Sequence, residues 1–457
     1  MLYIKFTDVA SAIDVKVNGQ WEYHYGYYSH GENRKASKNN GVHEDRLRFR
    51  HRTRTQVRFI ASETLSALLN FEIGDVQWGL DSGRVDADAT THVKLKHMYL
   101  DWTLPGTQVK TRSGIQPYAL PWAIANNPIM DSDITGILVS TQFTPEVGLS
   151  VLYARPFDNN IANEAVNAYD EMDILAISVP IKTSSVRVTP YAMGAIIGRD
   201  SGYWGARGVG EGVTGANGTR VGRGRAHVNP ADVDNHIFGY WLGAAIEVPA
   251  LDPFILKFDL MAGGLETGDG DSDTFGYYLI GQFGYKFNFG ELSLIAWYSS
   301  GDKEVDDRGV MPILSDDTGF TPTMMFTDGG RWRSYDCQTT DSALGTWAIG
   351  LKLDKVSFVD KLSHTFNLFY YRGTNRGDVI GNAGGANNNW NFSGGSGYLI
   401  STDWAWEINV MNEYKVSENL TLAIDFGYLD LNLSKQRANR DAVTGDFSTQ
   451  IGIRYAF

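Results

Sequence analysis

Residues 15–27 read Val15-Lys-Val-Asn-Gly-Gln-Trp-Glu-Tyr-His-Tyr-Gly-Tyr27. The odd positions are Val15, Val17, Gly19, Trp21, Tyr23, Tyr25 and Tyr27, and the even ones start Lys16, Asn18, Gln20, Glu22 and His24. Successive strand side chains point to opposite sides, so this alternation predicts a strand with one apolar and one polar face. The pattern returns at 44–60, 64–78, 91–103, 107–116, 134–143, 147–155, 172–180, 185–198, 235–248, 253–264, 274–288, 291–299, 343–354, 363–373, 402–415, 419–433 and 446–457, which makes eighteen candidate strands. Short turns such as Leu104-Pro105-Gly106, Lys182-Thr183-Ser184 and Ser417-Glu418-Asn419 alternate with longer polar segments, notably 199–234, 300–342 and 374–401.

A meander with tight turns at one end and long loops at the other predicts an all-β fold, a transmembrane antiparallel β-barrel of 16 or 18 strands. The turns would be periplasmic and the loops extracellular. A soluble propeller would impose a repeat of roughly 40–50 residues, and none is visible. No window reaches the 18 or so consecutive apolar residues that a membrane helix needs.

Composition fits this division into two faces. The chain holds 12 Trp, 23 Tyr and 22 Phe, yet its mean hydropathy is −0.25. With 40 basic and 53 acidic residues the net charge is −13, which argues against a nucleic-acid partner. The single cysteine, Cys337, excludes an internal disulfide framework and reads as an unpaired loop thiol or an inter-subunit link. Ala10-Ser11-Ala12 has the form of a signal-peptidase site, but the stretch before it is too short and polar for a signal core. Residues 1–12 are therefore read as a leader remnant or an appended segment, and residues 13–457 as one barrel domain.

The second strand carries the chemistry. Its even positions are Arg46, Arg48, Arg50, Arg52, Arg54, Gln56 and Arg58, and its odd ones include Leu47, Phe49, His51, Val57 and Phe59. Same-face neighbours stand about 6.6–6.8 Å apart, so the six guanidiniums span roughly 40 Å. Facing lipid, each would cost about 2–4 kcal/mol near the midplane. The column is expected to face water in the lumen; the alternative readings are a solvated face of an ordinary sheet and arginines paired with neighbouring carboxylates.

An arginine-rich second strand, followed by a long segment after the fifth strand, resembles the general diffusion porins of Gram-negative outer membranes. In that family the third loop folds into the lumen and sets acids opposite the basic column. The corresponding segment here is 116–134, which follows Lys110 and Arg112 and contains Asp131 and Asp133 as candidate constriction acids, without the family's common Pro-Glu-Phe-Gly-Gly motif. The last strand ends in Tyr455-Ala-Phe457, similar to the carboxyl-terminal signal for outer-membrane insertion. Asp14-Val-Lys-Val-Asn-Gly-Gln-Trp21 is similar to the start of trimeric porins of sulfate-reducing bacteria. The resemblance implies a homotrimer in outer-membrane lipid and lipopolysaccharide, passing ions and small hydrophilic solutes by passive diffusion, with no required cofactor. Eighteen strands also suit a substrate-specific sugar or anion channel, but no aromatic ladder for sugars is evident, so general diffusion leads. The basic excess predicts weak anion selectivity.

Three further features are weighed. Asp403, Glu407 and Glu413 share the polar face of the sixteenth strand, as lumen solvation or as a cation-friendly patch. Asp269, Asp271 and Asp273 have the spacing of a calcium loop, but Ile280 stands where an EF-hand needs its bidentate Glu, so a solvated acidic loop is preferred. His24, His51, His92 and His97 lie in strands without a nucleophile arrangement, and no enzyme is expected.

Overall fold

The computed structural model describes residues 13–29, 46–79, 93–158, 169–198, 201, 213–214, 220–221, 235–266, 273–303, 309–314, 322–326, 344–377, 399–434 and 445–457. Eighteen long antiparallel strands form one sheet. In chain order they are β1 (Asp14–Tyr28), β2 (Arg46–Ser62), β3 (Leu65–Gln77), β4 (Val93–Thr103), β5 (Lys110–Ala119), β6 (Asp131–Gln142), β7 (Gly148–Asp158), β8 (Glu171–Ser178, continued by Ile181–Lys182) and β9 (Arg187–Gly198). They continue as β10 (His236–Glu247), β11 (Phe254–Glu266), β12 (Thr274–Phe287), β13 (Gly290–Ser299), β14 (Thr346–Val359), β15 (Leu362–Gly373), β16 (Trp404–Lys415), β17 (Leu420–Asn432) and β18 (Asp446–Ala456). Each of the eighteen stretches read from the alternation corresponds to one of these strands.

The sheet closes on itself. β1 pairs with β18 from Gln20↔Ala456 to Tyr28↔Ser448, and Gly19 and Phe457 exchange backbone hydrogen bonds at 2.9 and 3.0 Å. Closure gives every strand a neighbour on both sides, the condition a β structure must meet to place its backbone in hydrocarbon. Turn chemistry fixes the register at the short-turn end. Gly106 supplies a φ of 73° after Pro105, and the Thr144 hydroxyl accepts the N–H groups of Glu146 and Val147.

The outer face is an apolar belt. Leu242, Phe283, Leu294, Leu351 and Leu368 are all exposed on it, as lipid-facing residues must be. The inner face is not uniformly polar, as the alternation alone suggested. It is polar on β18 and β1–β5, but from β9 to β17 it buries Tyr191, Met193, Trp241, Trp297, Phe369 and Tyr371. These side chains are covered by chain segments that enter the barrel, so their apolar surface never meets water.

Candidate functional site

The even positions of β1 and β2 share the inner face. Registry sets Glu22 opposite Arg52 and His24 opposite Arg50, and on the next strand Glu72 opposite Arg54. Arg52, Arg54 and Arg58 of β2 are therefore tied to acids of their own wall. Glu22 accepts from Arg52 Nη2 at 2.6 Å and from Arg454 Nε at 2.9 Å, which joins β2, β1 and β18. Glu72 accepts from Arg54 Nε at 2.7 Å. Asp101 binds Arg112 through two bonds of 2.7 and 3.1 Å and lies 3.5 Å from Arg58. The Arg112 guanidinium also lies over the Tyr99 ring, 4.1 Å from its centre. Arg112, Lys110, Asp101 and Ser140 line a cavity of about 410 Å³ at the short-turn end. The ladder is thus preorganised by carboxylates that the polar faces of β1, β3 and β4 supply. Among the described residues, five arginines, Arg52, Arg54, Arg58, Arg112 and Arg454, gather on three carboxylates, Glu22, Glu72 and Asp101, so this cluster keeps an excess of positive charge.

The segment after β5 does enter the lumen. β4 and β5 pair only as far as Met98↔Ile115, whereas β5 and β6 stay paired to Ala119↔Asp131. Gly114, at φ 130°, sits where β5 leaves its neighbour, a conformation that L side chains rarely adopt. Beyond it residues 120–130 cross to the far wall. There Asn127 Nδ2 donates to the Tyr191 hydroxyl at 2.9 Å, and Ala123 and Ile124 donate their N–H groups to Asp259 of β11. Leu120 and Ile129 are fully buried, while Trp122 is 47% exposed.

Asp131 and Asp133 are not carried across with that segment. They are the first and third residues of β6, and Asp133 accepts from Lys96 and, at 2.8 Å, shares a hydrogen bond with His97 Nε2. The reason is the bend at Gly114. It turns the β5–β6 arm so that Asp133 meets β4, and the acids that meet the ladder come from adjacent strands instead. Asp101 brings Arg112 to Arg58, and Lys110 lines the cavity beside Arg112. Arg46 opens β2, opposite Tyr28.

Two further segments enter the barrel from the stretch 300–342, which the sequence presents as one extracellular loop. Residues 309–314 pack against β10, where Trp241 Nε1 donates to the Pro312 carbonyl at 2.7 Å, and Leu314 N donates to the Ile129 carbonyl of the first segment. Residues 322–326 dock on β15 and β16, with the Phe326 ring stacked on Tyr371 at 3.8 Å and Tyr371 in turn 5.6 Å from Trp297. That aromatic stack was not evident in the sequence, because its members come from three distant places. The apolar runs Val310-Met-Pro-Ile-Leu314 and Met324-Met-Phe326 were the available signal. Glu407 receives two N–H groups of this segment, and Asp403 those of Ile400 and Ser434, so neither is a solvated lumen acid. Glu413 lies on β16. Asp269, Asp271, His92, Cys337 and residues 1–12 lie outside the described residues, and Asp273 directly precedes β12.

A closed barrel with an apolar belt, a basic inner wall and inward segments has solved counterparts. OpdL of Pseudomonas aeruginosa superposes with a TM-score of 0.55 at 12% identity over 97% of this chain and 99% of that one. The fold is that of an eighteen-stranded porin. A BenF-like porin of Pseudomonas fluorescens Pf-5 matches with a TM-score of 0.55 at 11% identity over 97% and 98% of the two chains. OpdK of Pseudomonas aeruginosa, crystallised with vanillate, matches with a TM-score of 0.54 at 10% identity over the same shares. No protein family and no curated protein matches the sequence. At these identities the porin likeness speaks for architecture, and the chemistry must come from this chain's own lumen.

Proposed function

We propose that this porin is a passive outer-membrane channel selective for small organic anions. The observation that carries the reading is the arginine ladder on the inner wall of a barrel whose bore three inward segments narrow. A carboxylate in transit exchanges its hydration shell for charge-assisted hydrogen bonds from successive guanidiniums about 6.6–6.8 Å apart along the strand. Glu22, Glu72 and Asp101 hold those guanidiniums in place and temper their field. Several moderate sites allow an ion to enter and leave, whereas one deep site would trap it. With a Debye length of about 8 Å at physiological salt, the field of the wall reaches across a bore of similar width.

A substrate-specific channel is favoured over general diffusion because the lumen is partitioned. The guanidiniums stand on one wall, and the first inward segment, docked on Tyr191 and Asp259, leaves Trp122 47% exposed. That combination suits an anion with a flat apolar body. Vanillate, the molecule crystallised with OpdK, has that chemistry. The channel works as a homotrimer in contact with lipopolysaccharide, and performs no catalysis. The likeness to porins of sulfate-reducing bacteria rests on the Asp14–Trp21 segment alone.

The test is a bi-ionic measurement on purified protein in a planar bilayer, with potassium benzoate on one side and potassium gluconate on the other. The reversal potential is expected to show benzoate as the more permeant anion, and a Trp122→Ala variant to lose that preference. Equal permeabilities in the unaltered protein would return the assignment to general diffusion.

A further inference from the structure

Asp259 and Glu407 repeat one arrangement on two distant strands. Asp259, on β11, accepts the N–H of Ala123 on Oδ1 at 2.7 Å and that of Ile124 on Oδ2 at 2.9 Å. Glu407, on β16, accepts the N–H of Met325 on Oε1 at 2.7 Å and that of Phe326 on Oε2 at 2.9 Å. Each carboxylate is 1% exposed, projects from the barrel wall, and divides its two oxygens between consecutive backbone donors of an inward segment. Neighbouring groups support each clamp. Lys257 Nζ donates to the Ala123 carbonyl at 3.3 Å, and the Tyr371 hydroxyl donates to Glu407 Oε2 at 3.0 Å.

We infer that Asp259 and Glu407 are positioning residues that set the bore of the channel by clamping two inward segments through main-chain donors. The inference rests on the channel reading above. A buried carboxylate is costly to desolvate, and burial among apolar side chains is tolerable only because both oxygens are filled. The donors are backbone groups, so the clamp is independent of the side chains the segment presents to the lumen. Position and chemistry are thereby separated: β11 and β16 fix where each segment lies, while an exposed side chain such as Trp122 takes no part in the clamp. Leu314 N, bonded to the Ile129 carbonyl, passes the constraint from the first segment to residues 309–314.

Removing one acceptor leaves two buried N–H groups without a partner. At about 1–3 kcal/mol per orphaned group, where each 1.4 kcal/mol is tenfold, the displaced state of the segment should gain roughly 10-fold or more in occupancy. Two readouts test this on Asp259→Ala, Asp259→Asn, Glu407→Ala and Glu407→Gln. The first is single-channel recording, where the alanine variants should show larger and noisier open levels than the unaltered protein. The second does not depend on conduction. In a Cys337→Ser background, Ala125→Cys places a thiol at a site 6% exposed in the first segment. Its labelling by a charged maleimide should accelerate about 10-fold or more when Asp259→Ala is added, and not when Glu407→Ala is added. If an alanine variant fails to refold, the isosteric Asn or Gln variant, which keeps one acceptor, should show the smaller change in the same direction. Unchanged labelling together with unchanged conductance would overturn the inference. A loss of anion preference in the unaltered protein would instead overturn the channel reading while leaving the clamp measurable by labelling.

Discussion

Replacing Glu22 by Gln removes the charge that joins three strands at the centre of the basic wall. Glu22 holds Arg52 at 2.6 and 3.2 Å and Arg454 at 2.9 Å. The side-chain exposures are 10% for Glu22, 13% for Arg52 and 36% for Arg454. Opposite unit charges 2.9 Å apart attract by about 6 kcal/mol at an effective permittivity near 20, before desolvation takes back most of that. Breaking a buried pair by removing one partner costs about 3–5 kcal/mol. The water around Arg454 lowers this to an expected loss of about 2–3 kcal/mol. Reversible urea unfolding of the barrel in lipid vesicles, followed by tryptophan fluorescence, measures it. The same substitution adds one net positive charge to the wall, so the reversal potential in a salt gradient should move further toward anions. A stability change under about 0.5 kcal/mol, the range of a neutral surface substitution, together with an unmoved reversal potential would refute the reasoning. Glu22 would then neither hold the ladder nor be felt by permeating ions.

Three other substitutions follow from the same geometry. Leu351, paired with Leu294 and Leu368 on the outer face, should tolerate Arg at a cost of about 2–4 kcal/mol in vesicle unfolding if that face meets hydrocarbon. Gly114→Ala places a methyl 2.1 Å from the Met98 carbonyl at φ 130°, and should cost about 3 kcal/mol or more or block assembly, read as loss of the heat-modifiable folded band on a gel. Trp241→Phe forfeits the 2.7 Å bond to the Pro312 carbonyl and should lose about 1 kcal/mol with noisier open-channel current.

The barrel was legible because a period of two, sustained over eighteen strands, leaves little freedom in which side chain faces which way. The ladder was legible for the same reason: Arg48 to Arg58 could not all face lipid. Their partners were less so. Glu22, Glu72 and Asp101 stand on alternate positions of three separate strands, and only the register sets them beside Arg52, Arg54 and Arg112. Asp131 and Asp133 were assigned from their place in the sequence, but beyond the backbone bend at Gly114 both stand at the start of β6, and Asp133 meets Lys96 and His97. The long segment 300–342 reads as polar on average, which hides two short apolar runs that cover the inner aromatics. Glu407 shows the same limit: its alternation correctly placed it inward, and nothing local could tell that a segment eighty residues earlier in the chain supplies its donors.

The central claim is that the arginine wall governs which ions pass. The most direct test is the reversal potential of the purified protein in a planar bilayer under a tenfold potassium chloride gradient, compared with a variant carrying Arg52→Gln and Arg54→Gln. The account predicts anion preference in the unaltered protein and its reduction in the variant. Cation preference in the unaltered protein, or the same reversal potential in both, would contradict it.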